Sequence, residues 1–181
     1  MNEGTIEQHG EMVTCRFERH LRHPVEVVWQ AITEPDELER WMGTRPEIDL
    51  RPGGHYITRH GTGDVVTDRI TRLEPPRLLE HTFWEHVNPS ARVTWELSPA
   101  GDGCRLVLTH RLSLGDVRRA AATVAAGDDI VTIISRTCAG WHHLLDMLAA
   151  TLDGRRAPWS DQDQKDCQER YAALVKQEPQ G

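Results

Sequence analysis

The sequence predicts an α+β fold in which a curved antiparallel sheet of about six to seven strands closes over one long C-terminal helix. Two observations carry this. Ile130, Ile133, Ile134, Thr137, Cys138, Trp141, Leu144, Leu145, Leu148 and Leu152 recur at spacings of three and four, the period of one apolar helix face. From about Asp128 to Asp153 such a helix is roughly 39 Å long. Nearly everything before it alternates between apolar and polar residues in short runs divided by glycine and proline, which reads as strands joined by tight turns.

Taken in order, Val13, Cys15 and Phe17 alternate with Thr14, Arg16 and Glu18 in a first strand that has one buried face. Pro24 opens a short helix carrying Val25, Val28, Trp29 and Ile32. Pro35 opens a second, with Asp36 and Glu37 in its first turn and Leu38, Trp41 and Met42 on its apolar side. Strands are then expected at Glu47 to Leu50, His55 to His60, Asp64 to Leu73, Leu78 to His86, Arg92 to Leu97 and Cys104 to Leu112. Turns lie at Gly53-Gly54, Gly61-Thr62-Gly63, Pro75-Pro76, Asn88-Pro89 and Gly101-Asp102-Gly103. Connections this short make neighbouring strands antiparallel. The parity of Leu78 to His86 stays open: Leu79, His81 and Phe83 face inward, or Trp84 and His86 do. The alanine-rich stretch from Gly115 to Gly127 predicts a separate helical segment. Ser160, followed by Asp161 and Asp163, starts a last helix with an apolar stripe of Cys167, Tyr171, Leu174 and Val175.

These elements divide the chain into a flexible leader (1–11), one domain (12–154) and a C-terminal extension with one amphipathic helix (155–181). The 181 residues suffice for a self-supporting core. No run of 18 apolar residues is present, so no membrane-spanning helix is expected. The first residues resemble no export signal, which places the protein in the cytoplasm. A formal charge of −7, from 21 basic and 28 acidic residues, argues against nonspecific nucleic-acid binding. The four cysteines, Cys15, Cys104, Cys138 and Cys167, contain no CxxC pair and read as reduced thiols of the core or an interface.

Several stretches also resemble a known family. They are His23 to Thr33 (HPVEVVWQAIT), Leu38 to Met42 (LERWM), Leu50 to Gly54 (LRPGG), Glu74 to Leu79 (EPPRLL), Val93 to Leu97 (VTWEL) and Gly140-Trp141. Together they resemble START-like, Bet v 1-like (SRPBCC) proteins of the Hsp90-ATPase-activator-homologue (AHSA1) type, over roughly residues 13 to 154. The resemblance implies a helix-grip fold with a cavity between sheet and helix. Its members include co-chaperone domains and relatives of polyketide cyclases, so fold leaves function open. The eukaryotic co-chaperone also carries a separate N-terminal domain that makes a principal contact with the chaperone; with about a dozen residues before the first strand here, activation of a chaperone ATPase is not the expected role.

The leading expectation is a START-like domain holding one small hydrophobic molecule. Its candidate cavity-lining residues are Trp41, Tyr56, His81, Phe83, Trp95, Leu108, His110, Trp141 and Leu145. Six tryptophans against two phenylalanines and two tyrosines make aromatic lining a strong theme. One alternative is a co-chaperone-like interaction module; another is a cyclase- or hydrolase-like enzyme using His110 or His81 as acid–base. No catalytic residue, metal ligand or cofactor is assigned. Cys138 and His142 share a helix face but lack a third ligand of recognisable spacing. Glu80 and Glu85 have opposite parity and cannot act as a pair. The stripe on the last helix needs a surface, either this domain or a homodimer partner.

Overall fold

A computed structural model describes residues 3–59, 65–123 and 128–177. Its eight strands are β1 (Thr5–His9), β2 (Met12–Leu21), β3 (Glu47–Ile48), β4 (His55–Arg59), β5 (Val65–Glu74), β6 (Leu78–Thr82), β7 (Arg92–Ala100) and β8 (Gly103–Ser113). Its five helices are α1 (Val25–Thr33), α2 (Pro35–Met42), α3 (Leu114–Ala122), α4 (Ile130–Leu152) and α5 (Asp161–Gln177). The strands form one curved, unclosed antiparallel sheet in the order β1-β2-β8-β7-β6-β5-β4-β3. This is the helix-grip arrangement, with α4 seated in the concave face.

Local chemistry sets the element ends. Pro35 occupies the first turn of α2, and Gly43 (φ 76°) closes it in the left-handed conformation, its N–H donating to Glu39 O. Asp129 caps α4 by accepting from Thr132 N at 2.7 Å. In the β7–β8 hairpin Ala100 pairs with Gly103 around Gly101-Asp102. A Cβ on Gly103 would stand 2.1 Å from Leu21 O, so only glycine lets β2 come this close.

The expected leader is corrected: Thr5–His9 forms edge strand β1, paired with β2 from Thr5↔Arg16 to His9↔Met12. Its Ile6 turns inward and is buried, which attaches the segment to the core. The expected strand Leu78 to His86 stops at Thr82. Trp84 has φ 51°, and its carbonyl accepts from Val87 N and Asn88 N, so the chain turns out of the sheet there. Of the alanine-rich segment, Leu114–Ala122 is helical; residues 124–127 lie outside the described residues, as do the expected turn at Gly61-Thr62-Gly63 and the strand ends expected at His60 and Asp64.

The stripe on α5 finds its surface within the chain, packing on α4 and β1. Cys167, Tyr171 and Val175 are buried there. Gly4 N donates to the Tyr171 hydroxyl (2.8 Å), which donates to His142 Nδ1 (2.8 Å). The remaining nitrogen, Nε2, faces Asp146 at 3.5 Å. Trp29, on α1, is a buried core residue.

Candidate functional site

A cavity of about 260 Å³ lies between the concave face and α4. Each wall has a sequence reason. Residues Tyr56 and Thr58 of β4, and Asp68 of β5, project inward by strand parity. His81 continues that face on β6 and Trp95 on β7. Helix α2 contributes Trp41 and Met42. The helix α4 contributes Thr137, Gly140, Trp141 and Leu144, at spacings of three, one and three that mark one face. Phe83 follows β6, and its parity settles the open register: Leu79, His81 and Phe83 form the inward set.

The indole N–H groups at this site are all used inside the protein. Trp41 Nε1 donates to Ala31 O (2.8 Å), Trp95 Nε1 to His81 Nε2 (3.4 Å) and Trp141 Nε1 to His110 Nδ1 (2.9 Å). What these side chains offer the cavity is therefore ring surface. The rings brace one another: Trp95 and Trp141 meet edge to face at 5.8 Å, and Phe83 tilts on Trp141 at 5.4 Å.

The polar side of the cavity is compact. Tyr56 and Asp68 are directly opposite in the β4–β5 ladder, and the Tyr56 ring stacks on His81 at 4.9 Å. Asp68 Oδ1 accepts from Thr82 Oγ1 (3.0 Å) and Glu85 N (3.2 Å), so it also caps the turn that begins at Trp84. Burial pushes the Asp68 pKa up, against the pull of His81 and these hydrogen bonds. His81 Nδ1 lies 2.6 Å from Thr82 O, which can only accept, so that nitrogen carries the proton. Burial lowers the His81 pKa, against the Thr82 carbonyl, Asp68 and Glu80, and Nε2 is the acceptor for the Trp95 indole. Burial, with Asp68 nearby, pushes the Tyr56 hydroxyl up, so it stays a protonated phenol. It has no hydrogen-bond partner among the described residues.

Of the nine candidate residues, Trp41, Tyr56, His81, Phe83, Trp95 and Trp141 line this cavity. Leu108, His110 and Leu145 do not. They are fully buried one layer deeper, where Phe83 and Trp141 pack over His110. His110 accepts from the Trp141 indole, so its proton sits on Nε2, which has no partner among the described residues. Burial drives its pKa down to about 3. Sequence reasoning missed Met42, Thr58, Asp68, Thr137, Gly140 and Leu144. Parity with Val66 and Ile70 marks Asp68 as inward, and helical spacing around Trp141 marks the three α4 residues.

Among the described residues no group of three or more His, Cys, Asp or Glu side chains is arranged to hold a metal. Cys138 instead faces Cys15, its Sγ 3.0 Å away, while His142 is engaged by Tyr171. Among the same residues no helix is long and apolar enough to cross a membrane.

The profile of the family described as Activator of Hsp90 ATPase homolog 1-like protein matches residues 22–153. The chain belongs to this family. Solved structures place the family member among START-like, Bet v 1-like folds. CalU16 from Micromonospora echinospora is 26% identical, with 96% of this chain and 98% of that one covered at a TM-score of 0.75. A conserved protein of unknown function from Enterococcus faecalis, EF2215, is 16% identical over 96% of this chain and 90% of its own, with a TM-score of 0.75, a likeness of fold alone. The BPP1335 product of Bordetella parapertussis is 28% identical, covering 94% and 92% at a TM-score of 0.64. No curated protein matches the chain at a significant level.

Proposed function

We propose that this family member binds one small apolar molecule in the cavity between its sheet and α4. The observation that carries the reading is the lining: five aromatic side chains, with every indole N–H bonded within the protein. An apolar cavity of roughly 150 Å³ holds benzene, so this one suits a molecule about the size of two fused rings. Native mass spectrometry of protein purified from its source, then extraction, tests the reading. A copurifying apolar molecule, and saturable tryptophan quenching by an uncharged naphthalene derivative, are the expected results. A strictly linear fluorescence response with nothing extracted would overturn it. A reducing, cytoplasmic location suits the four unpaired thiols.

The family match favours a second reading, a module that contacts an Hsp90-type chaperone through its outer surface. Failure of the full-length chain to retain the cognate chaperone at micromolar concentration would remove it. Neither reading requires a catalytic group, and none is assigned.

A further inference from the structure

We propose that the cavity selects an apolar molecule carrying one protonated amine, with the aromatic rings around its body and the Asp68 carboxylate at its charged end. This inference rests on the apolar-ligand reading and names the ligand's chemistry. The argument is one of inventory. Among the described residues no lysine or arginine lines the cavity, and Asp68 is its only carboxylate. A ligand with a carboxylate or phosphate head would meet no cation there and would face Asp68 instead.

The donors are also accounted for. The Trp41, Trp95 and Trp141 N–H groups, and His81 Nδ1–H, all go to protein acceptors, and the Thr137 hydroxyl donates to Ile133 O. Towards a guest the cavity presents mainly ring and aliphatic surface, with the Asp68 carboxylate, the Tyr56 hydroxyl and the Thr58 side chain on its polar side. Ring faces carry negative charge density, and several of them around one anion form the environment that attracts an organic cation. Asp68 adds a specific need. Its Oδ1 is held by the Thr82 hydroxyl and the Glu85 amide, yet it carries no cationic side chain as a partner at hydrogen-bond distance among the described residues. Burial accordingly disfavours its charge. An ammonium group would supply the missing counter-charge, while the Tyr56 hydroxyl, beside it in the ladder, can accept a further N–H bond.

The test is a matched series on the full chain by isothermal titration calorimetry: 2-(2-naphthyl)ethylamine, 2-(2-naphthyl)ethanol and 2-naphthylacetate. The amine is expected to bind roughly tenfold or more tightly than the alcohol, and the carboxylate more weakly than both. Asp68→Asn is expected to lower the amine's affinity roughly tenfold or more and to narrow the gap between amine and alcohol. Because Asp68 also caps a turn, this variant is checked for an unaltered melting transition; the wild-type series decides the proposal without it. If the alcohol or the carboxylate binds as tightly as the amine, amine selection is overturned while apolar-ligand binding stands. If none of the three binds, both are overturned.

Discussion

Gly140 offers the sharpest test of where a ligand sits. It lies mid-helix in α4, and a Cβ built on it meets nothing within 4 Å, because it faces the cavity. Glycine inside a helix is about 1 kcal/mol less favourable than alanine. Gly140→Ala should therefore stabilise by about 1 kcal/mol and raise Tm by roughly 2–4 °C for a chain of this size. Gly140→Leu keeps most of that helical gain and adds partial burial of four carbons, about 1–2 kcal/mol, less about 0.5–1 kcal/mol of rotamer entropy. The net effect is a protein about 1–2 kcal/mol more stable than wild type with a smaller cavity. A ligand seated there should bind at least roughly tenfold more weakly, a loss of about 1.4 kcal/mol. Thermal unfolding and calorimetry with one naphthyl probe measure both quantities. Because stability and affinity are expected to move in opposite directions, misfolding cannot mimic the result. Destabilisation by leucine would show that no space exists at Gly140. An unchanged Kd in a stabilised Gly140→Leu protein would place the ligand elsewhere.

Other consequences follow from buried polar groups. Tyr171→Phe removes the hydroxyl shared by Gly4 N and His142 Nδ1; denaturant unfolding should show a loss of about 1–3 kcal/mol, and a neutral result would mean water replaces the bond. His110, with a folded pKa of about 3, stays neutral while an unfolded histidine protonates below about pH 6.5. Stability from this group is thus complete above pH 6.5 and declines as pH falls towards 3, by about 2 kcal/mol at pH 5. His81, whose folded pKa is also lowered, acts in the same direction. His110→Gln, whose amide oxygen can still accept from Trp141, should lose less stability between pH 7.5 and 5 by that amount in urea titrations; equal losses would refute the assignment. All four thiols are buried, so a thiol reagent should label them in native protein only as fast as the fold opens. Rapid labelling of even one at native pH would contradict this burial.

Periodicity alone determined most of the elements and their inward faces. Alternation on β2, β7 and β8 placed Phe17, Trp95 and Leu108 inward, and the three-four spacing placed one face of α4. These are local consequences of backbone geometry, so a sequence displays them directly. Tertiary structure decided the rest. Thr5–His9 became a strand because β2 has an unpaired edge that its hydrogen-bonding groups can satisfy, a fact about a neighbour and not about the segment. The strand from Leu78 ended at Thr82 because Asp68, more than a dozen residues away, caps the turn at Trp84. His81 and His110 share strand parity, yet one borders the cavity and the other lies behind Phe83 and Trp141. Parity fixes which face a side chain takes but not its depth beneath that face. Depth, and the cavity itself, are what remains after helices and sheet have packed together, and no stretch of sequence holds that difference alone.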